Sequence, residues 1–173
     1  MNIFDYPIDN RYILRNKKSI KKALLKEGEF INKNIAILSG STIGNIKEIL
    51  EIFLLSNGIK PSFYIGKYNR FYEEAVFENQ ELDEFNPDIV YIHTSNRNIT
   101  EYPNISDTKE DCDLKLSQEY ERFEQVWQSI SQKYNCPIIQ NNFEMLPYRT
   151  FGNSDIYLQN GWNNFINRLN NKI

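Results

Sequence analysis

The sequence is poor in the residues that metal and redox chemistry depend on. It has one histidine and two cysteines among 173 residues. The cysteines, Cys112 and Cys136, form neither a CxxC pair nor a metal-ligand spacing. We therefore expect ordinary thiols of a reducing compartment, no metal site and no cofactor.

The chain also lacks a basic surplus and a long apolar run. Its net charge is −3, whereas nucleic acids and anionic membranes reward a basic surface. No apolar stretch approaches the roughly 18 residues that span a bilayer. The first ten residues, MNIFDYPIDN, do not have the layout of a signal peptide. We expect a cytoplasmic protein with no nucleic-acid and no membrane partner.

Short apolar runs alternate with helical patterns along most of the chain. Strands are predicted at 35–38, 61–65, 88–93 and 137–140, with amphipathic segments between them and a final helix around 162–169. This alternation predicts an α/β fold, a three-layer α/β/α sandwich with a mostly parallel sheet. Residues 1–30 form a lead-in and a helix over 17–27, and residues 31–173 form the α/β domain.

The stretch NIAILSGSTIGNI, residues 34–46, is the first strand–turn–helix unit. In open α/β sheets, ligands gather at the carboxyl ends of the strands. The residues leave three roles open for this turn. Its backbone N–H groups and the helix N-terminus could hold an anion, Ser41 could serve as a nucleophile, or Ser41 and Thr42 could only cap the helix.

A nucleophilic Ser41 requires a base and donors for an oxyanion. The base candidates are His93, at the end of the third strand, and Glu144, after the fourth. The donor candidates are the backbone of the turn, Gly66 after the second strand and the Asn96 side chain after the third.

The loop after the fourth strand is the second candidate region. Arg149 could clamp a phosphate or a carboxylate, although the loop could equally be a hydrogen-bonded connection. The predicted substrate-binding residues are Ser39, Gly40, Thr42, Gly66, Asn96, Asn142 and Arg149.

Two resemblances to known families bear on these candidates. Residues 40–45, Gly-Ser-Thr-Ile-Gly-Asn, resemble the phosphate loop of flavodoxins, which implies a flavodoxin-like FMN-binding module. Residues 35–76, 82–97 and 136–153 together resemble the N-terminal domain of FkbH-like proteins of the HAD superfamily. That resemblance implies an SGNH-hydrolase-like, flavodoxin-like sandwich, followed in the family by a HAD domain with an Asp-x-Asp motif.

The SGNH pattern carries over only in part. It places the nucleophile on Ser41, the glycine block on Gly66 and the asparagine on Asn96, whereas the Asp-x-x-His block and the HAD Asp-x-Asp motif have no counterpart. The resemblance implies a module that binds or positions an acyl, glyceryl or glycan-linked substrate for group transfer in polyketide or surface-glycan pathways. The substrate would be a small molecule or linked to a carrier protein, and a HAD domain would act in cis or in trans. An active serine esterase or acyltransferase is the alternative, and an FMN-binding module is a further one.

Overall fold

The chain folds around a four-stranded parallel sheet in a computed structural model that describes residues 3–173, with only the backbone of Glu27. The strands are β1 (Ile31–Ser39), β2 (Ile59–Ile65), β3 (Ile89–His93) and β4 (Ile138–Gln140). The helices are α1 (Asn10–Glu27), α2 (Gly44–Ser56), α3 (Phe71–Val76), α4 (Gln80–Phe85), α5 (Lys109–Tyr134) and α6 (Trp162–Asn170). Short 3-10 turns span Asn96–Asn98 and Gly152–Ile156.

The strand order β2-β1-β3-β4 places a change of direction at the centre of the sheet. From β1 the chain moves to β2 on one side, and it then returns to β3 on the other side. Ser39 pairs in register with His93 at the carboxyl ends of β1 and β3. Such a switch point opens a crevice where ligands bind in open α/β sheets. The predicted α/β class and three-layer arrangement are confirmed.

One side of the sheet, which we call the α5 face, is covered by α3, α5 and α6. Leu116, Phe123 and Ile130 recur every seven residues along α5 and form one buried stripe. They pack against β1 and β3 through side chains such as Leu38 and Ile92. This layer contains the main hydrophobic core.

The opposite side, the α2 face, is covered less completely. Here α2 packs over Ile35 and Ile37 of β1, and α1 packs on the outside of α2. On the same face, Ile139 of the edge strand β4 is 54% exposed. The two faces of one sheet therefore differ in how well they are sealed.

The predicted start of the first helix was wrong. The helix begins at Asn10 rather than at residue 17, because the Asp9 side chain accepts a hydrogen bond from Tyr12 N at 2.9 Å and caps it. A non-helical backbone at Asn16 interrupts the pattern and separates the two buried residues, Ile13 and Ile20. The predicted lead-in was therefore too long, and its first two residues lie outside the described part.

Within residues 3–173, no helix is long and apolar enough to cross a membrane.

Candidate functional site

The crevice between β1 and β3 is closed at its base by the loop that follows β1. Gly40 N donates a hydrogen bond to His93 O at 2.8 Å, which ties this loop to the neighbouring strand. The Asn98 side chain donates to Gly40 O at 2.9 Å and to Asn69 Oδ1 at 2.8 Å. A Cβ atom at Gly40 would lie 2.3 Å from the Asn98 amide. Glycine is therefore required at position 40 by close packing.

The turn after β3 is held to α5 by polar contacts. Asn98 Oδ1 accepts a hydrogen bond from Ser95 N at 2.8 Å and completes a capping box. Arg122 donates to Asn98 O at 2.5 Å. Glu119, which is 3% exposed, pairs with Arg122 and accepts from the Thr100 hydroxyl. These contacts fix Asn98, and through it the loop at Gly40.

The ends of β3 and β4 are joined by side chains beyond the last ladder pair. Asn141 Oδ1 accepts from Thr94 N at 3.0 Å, and Asn141 Nδ2 donates to Thr94 O at 2.7 Å. Asn96 N donates to Glu144 Oε2 at 3.2 Å, and Asn96 Nδ2 donates to Glu144 O at 3.3 Å. The structure thus brings the predicted residues Asn96 and Glu144 together, although the contact ties one loop to another.

Ser41 lies on the loop at the crevice and is partly exposed. Among residues 3–173, no side chain forms a hydrogen bond with its hydroxyl. His93 Nδ1 instead pairs with Tyr91 OH at 2.9 Å. The expected donor Gly66 N is already bonded to Ile37 O at 2.9 Å. This arrangement presents a serine without the base and without one of the oxyanion donors that hydrolysis needs.

The first turn of α2 is uncapped. Its N-cap residue is Ile43, and in the part of the chain that the structure describes no side chain caps the N–H groups that follow. The interpretation of Ser41 and Thr42 as helix caps was therefore wrong. The N–H groups of a first helical turn have no partners inside the helix, and they carry the positive end of the helix dipole. No acidic residue lies in this turn, so its electrostatics suit an anion.

The side chains beside the crevice are mainly uncharged. Burial lowers the pKa of His93 below its ordinary value, while a hydrogen bond to Asn141 and the charge of Glu144 act in the opposite direction. Burial also raises the pKa of Tyr91. Near pH 7 the His93–Tyr91 pair is therefore neutral, and each group can donate or accept a hydrogen bond.

Several predicted residues are not part of this arrangement. Arg149 is exposed and donates to Asn153 Oδ1 at 2.9 Å on its own loop. Asn142 lines a shallow cavity beside Trp127 and Ile173 on the α5 side. Ser39 is buried next to His93, and Thr42 is exposed on the loop.

Residues that sequence reasoning did not single out hold the crevice together. They are Asn69, Tyr91 and Asn98, and they act together with Asn141, a polar residue of the candidate loop after the fourth strand. The available signal for Asn69 and Asn98 was an asparagine a few residues after the end of a strand, which the high asparagine content of the chain obscured; Tyr91, inside β3, had no such signal. Within the described residues, no group of three or more His, Cys, Asp or Glu side chains could hold a metal ion.

Comparisons with known proteins support the fold. No protein-family model matches the chain, and no curated protein matches it. A solved structure does match: the N-terminal part of the protein BF1531 from Bacteroides fragilis, described as containing a phosphatase domain complexed with Mg. The match has a TM-score of 0.71 and 13% sequence identity, and it covers 90% of this chain but only 40% of that one. The chain is therefore similar in fold to part of a longer protein.

Proposed function

We propose that this chain is a substrate-positioning module of an FkbH-like, HAD-associated system. It binds the polar end of an acyl, glyceryl or glycan-linked substrate at the crevice between β1 and β3. The observation that carries the proposal is the uncapped first turn of α2 beside the tightly packed Gly40–Asn98 pair. Together they offer a rigid, electropositive rim to a phosphate or carboxylate.

Binding without bond cleavage is supported by the environment of Ser41. Its hydroxyl has no base among the described residues, and Gly66 N is committed to a scaffold hydrogen bond. Phosphatase chemistry would come from a HAD domain acting in cis or in trans. The similar fold within a longer protein described as containing a phosphatase domain is compatible with this division of labour. The whole system would serve group transfer in a polyketide or surface-glycan pathway.

The charge of the α2 first turn provides the test. Asn45 is exposed in this turn, and Asn45→Asp places a negative charge there without changing the side-chain shape. We expect phosphoglycerate, titrated against backbone amide NMR signals of residues 40–46, to bind about two- to five-fold more weakly to Asn45→Asp. The same substitution should stabilise the fold by about 0.3–1 kcal/mol, since carboxylates favour helix N-termini.

The matched control is Asn32→Asp, which makes the same charge change near the amino end of β1. Binding to this variant should equal that of the parent chain. Phosphoglycerate that shifts none of the 40–46 amides, or that binds both variants equally, would show that the crevice is not an anion site.

A serine esterase or acyltransferase is the second candidate. The observation in its favour is the partly exposed Ser41 on the loop at the switch point. A fluorophosphonate probe, read by intact mass, labels an activated serine but not an inert one. We expect no labelling of the folded protein; labelling that disappears in Ser41→Ala would establish the catalytic alternative.

A further inference from the structure

An apolar groove of about 380 Å³ lies on the α2 face, beyond the area that α2 covers. Its floor is formed by β1, β3 and β4, and α2 forms one wall. The lining residues are Ile35, Ile46, Leu50, Leu54, Ile89, Tyr91, Ile139, Gln140 and Asn141. The volume falls within the roughly 300–1,000 Å³ that is usual for small-ligand clefts.

The alternation of side chains along the strands gives this groove two different ends. Ile35 pairs with Ile89 at one end of the floor, and the next residues of β3 and β4 on the same face are Tyr91 and Ile139, which also pair. Two residues further along β3 and on the same face is His93, which lies just beyond the lining residues and pairs with Tyr91 OH through Nδ1. The groove is thus apolar along its length and polar where it meets the crevice.

We propose that this groove binds one medium-length acyl chain, with the carbonyl or carboxylate end at the crevice beside Tyr91 and Asn141. The proposal rests on the proposed function, because it names the substrate class that the same edge of the sheet would receive. Along the α2 wall the groove extends from Ile46 to Leu54, roughly 12 Å at the rise of a helix, which is about the length of an extended ten-carbon chain.

The chemistry of the two ends of the groove favours an acyl chain as its ligand. An acyl chain offers an apolar tail to the isoleucine and leucine side chains and a single acceptor group at one end. The Tyr91–His93 pair supplies hydrogen-bonding groups at that end, while both hydrogens of the Asn141 amide already donate to Thr94 O and Asn142 O and hold the rim in place. The first turn of α2 contributes Ile46 to the wall, so its free N–H groups lie close to the same end.

A chain-length series tests the proposal directly. Octanoate, decanoate and dodecanoate, each kept below its micelle concentration, are titrated by calorimetry and by NMR of the single histidine. Affinity should rise about two- to four-fold per methylene, because each buried methylene adds hydrophobic free energy. It should level off near ten carbons, and the His93 ring signals should shift.

A pair of variants locates the site. Ile139→Glu puts a charge into the groove at a residue that is already 54% exposed, and Leu114→Glu makes the same change on α5 at a residue that is 58% exposed. Decanoate should bind at least ten-fold more weakly to Ile139→Glu, whereas Leu114→Glu should bind like the parent chain.

Equal binding to both variants, or affinity that does not depend on chain length, would overturn the proposal. A different result would also overturn it: the parent chain does not bind decanoate but self-associates in sedimentation experiments, and Ile139→Glu abolishes that self-association. The groove would then be an interface between two copies of the chain. Phosphoglycerate binding that persists in either case would leave the proposed function standing.

Discussion

The two faces of the sheet are built from the same strands but end in different environments. On the α5 face, Val90 and Ile92 of β3 are completely buried beneath α5. On the α2 face, Ile139 of the adjacent strand β4 is more than half exposed. Both faces present branched apolar side chains to their surroundings, so the chemistry of the strands does not distinguish them. The difference teaches that the α5 face is sealed along β3, while the α2 face leaves apolar surface exposed at β4, where we propose that a ligand binds.

The sharpest test of this comparison is the same substitution on each face. Ile92→Ala should lower the free energy of unfolding by about 2–5 kcal/mol, because it leaves a cavity in a sealed core. Ile139→Ala should lower it by less than about 1 kcal/mol, since much of that side chain is already in water. Urea denaturation of both variants measures the difference. Equal losses would mean that the α2 face is as tightly packed as the α5 face.

A smaller effect is expected where the two faces meet, at the crevice. Gly40→Ala forces a Cβ atom against the Asn98 amide, so we expect a loss of about 1–3 kcal/mol by overpacking. Combined with Asn98→Ala, which removes the obstructing amide, the loss should be less than the sum of the two single losses. Thermal or urea unfolding of the two single variants and the double variant gives the coupling energy. Strict additivity would show that the loop can move away from Asn98 without cost.

The smallest expected effect is the contribution of His93, on the α2 face, to the pH dependence of folding stability. Burial holds the pKa of His93 below its ordinary value, so the folded chain binds a proton less readily than the unfolded chain does. The resulting stability is present above the unfolded pKa, about 6.5, and is lost as the pH falls through that value towards the folded pKa.

NMR titration of the single histidine measures this directly. His93 should titrate below the histidine of a model peptide, and His93→Asn should remove this component from the pH dependence of unfolding. An imidazole that titrates at or above the histidine of that peptide would show that the hydrogen bond to Asn141 and the charge of Glu144 outweigh the effect of burial on the pKa of His93.

Much of the fold could be predicted from local patterns. The βα unit at residues 34–46, the strand at 88–93 and the seven-residue stripe of α5 are all visible in the sequence, because burial of one face imposes its period on the chain. The start of α1 could not be predicted from periodicity, since Asn16 interrupts the helical pattern.

The candidate site was less accessible to prediction. Ser41 and Asn96 are at the predicted edge of the sheet, but Arg149 makes its contact within its own loop. The roles of Asn98 and Asn141 depend on partners at positions 40 and 94, and such long-range hydrogen bonds leave no period or spacing in the chain.

By itself, the sequence determined the α/β class, the parallel strands and a loop of small residues at the end of β1, because local propensity and period-based burial act on neighbouring residues. Only the tertiary structure decided that Ser41 has no base among the described residues, that Gly40 is locked against Asn98, and that part of the α2 face is open. Each of these facts depends on which elements lie beside one another in space. Which elements become neighbours follows from how the helices pack over the sheet, and no single segment of the sequence specifies it.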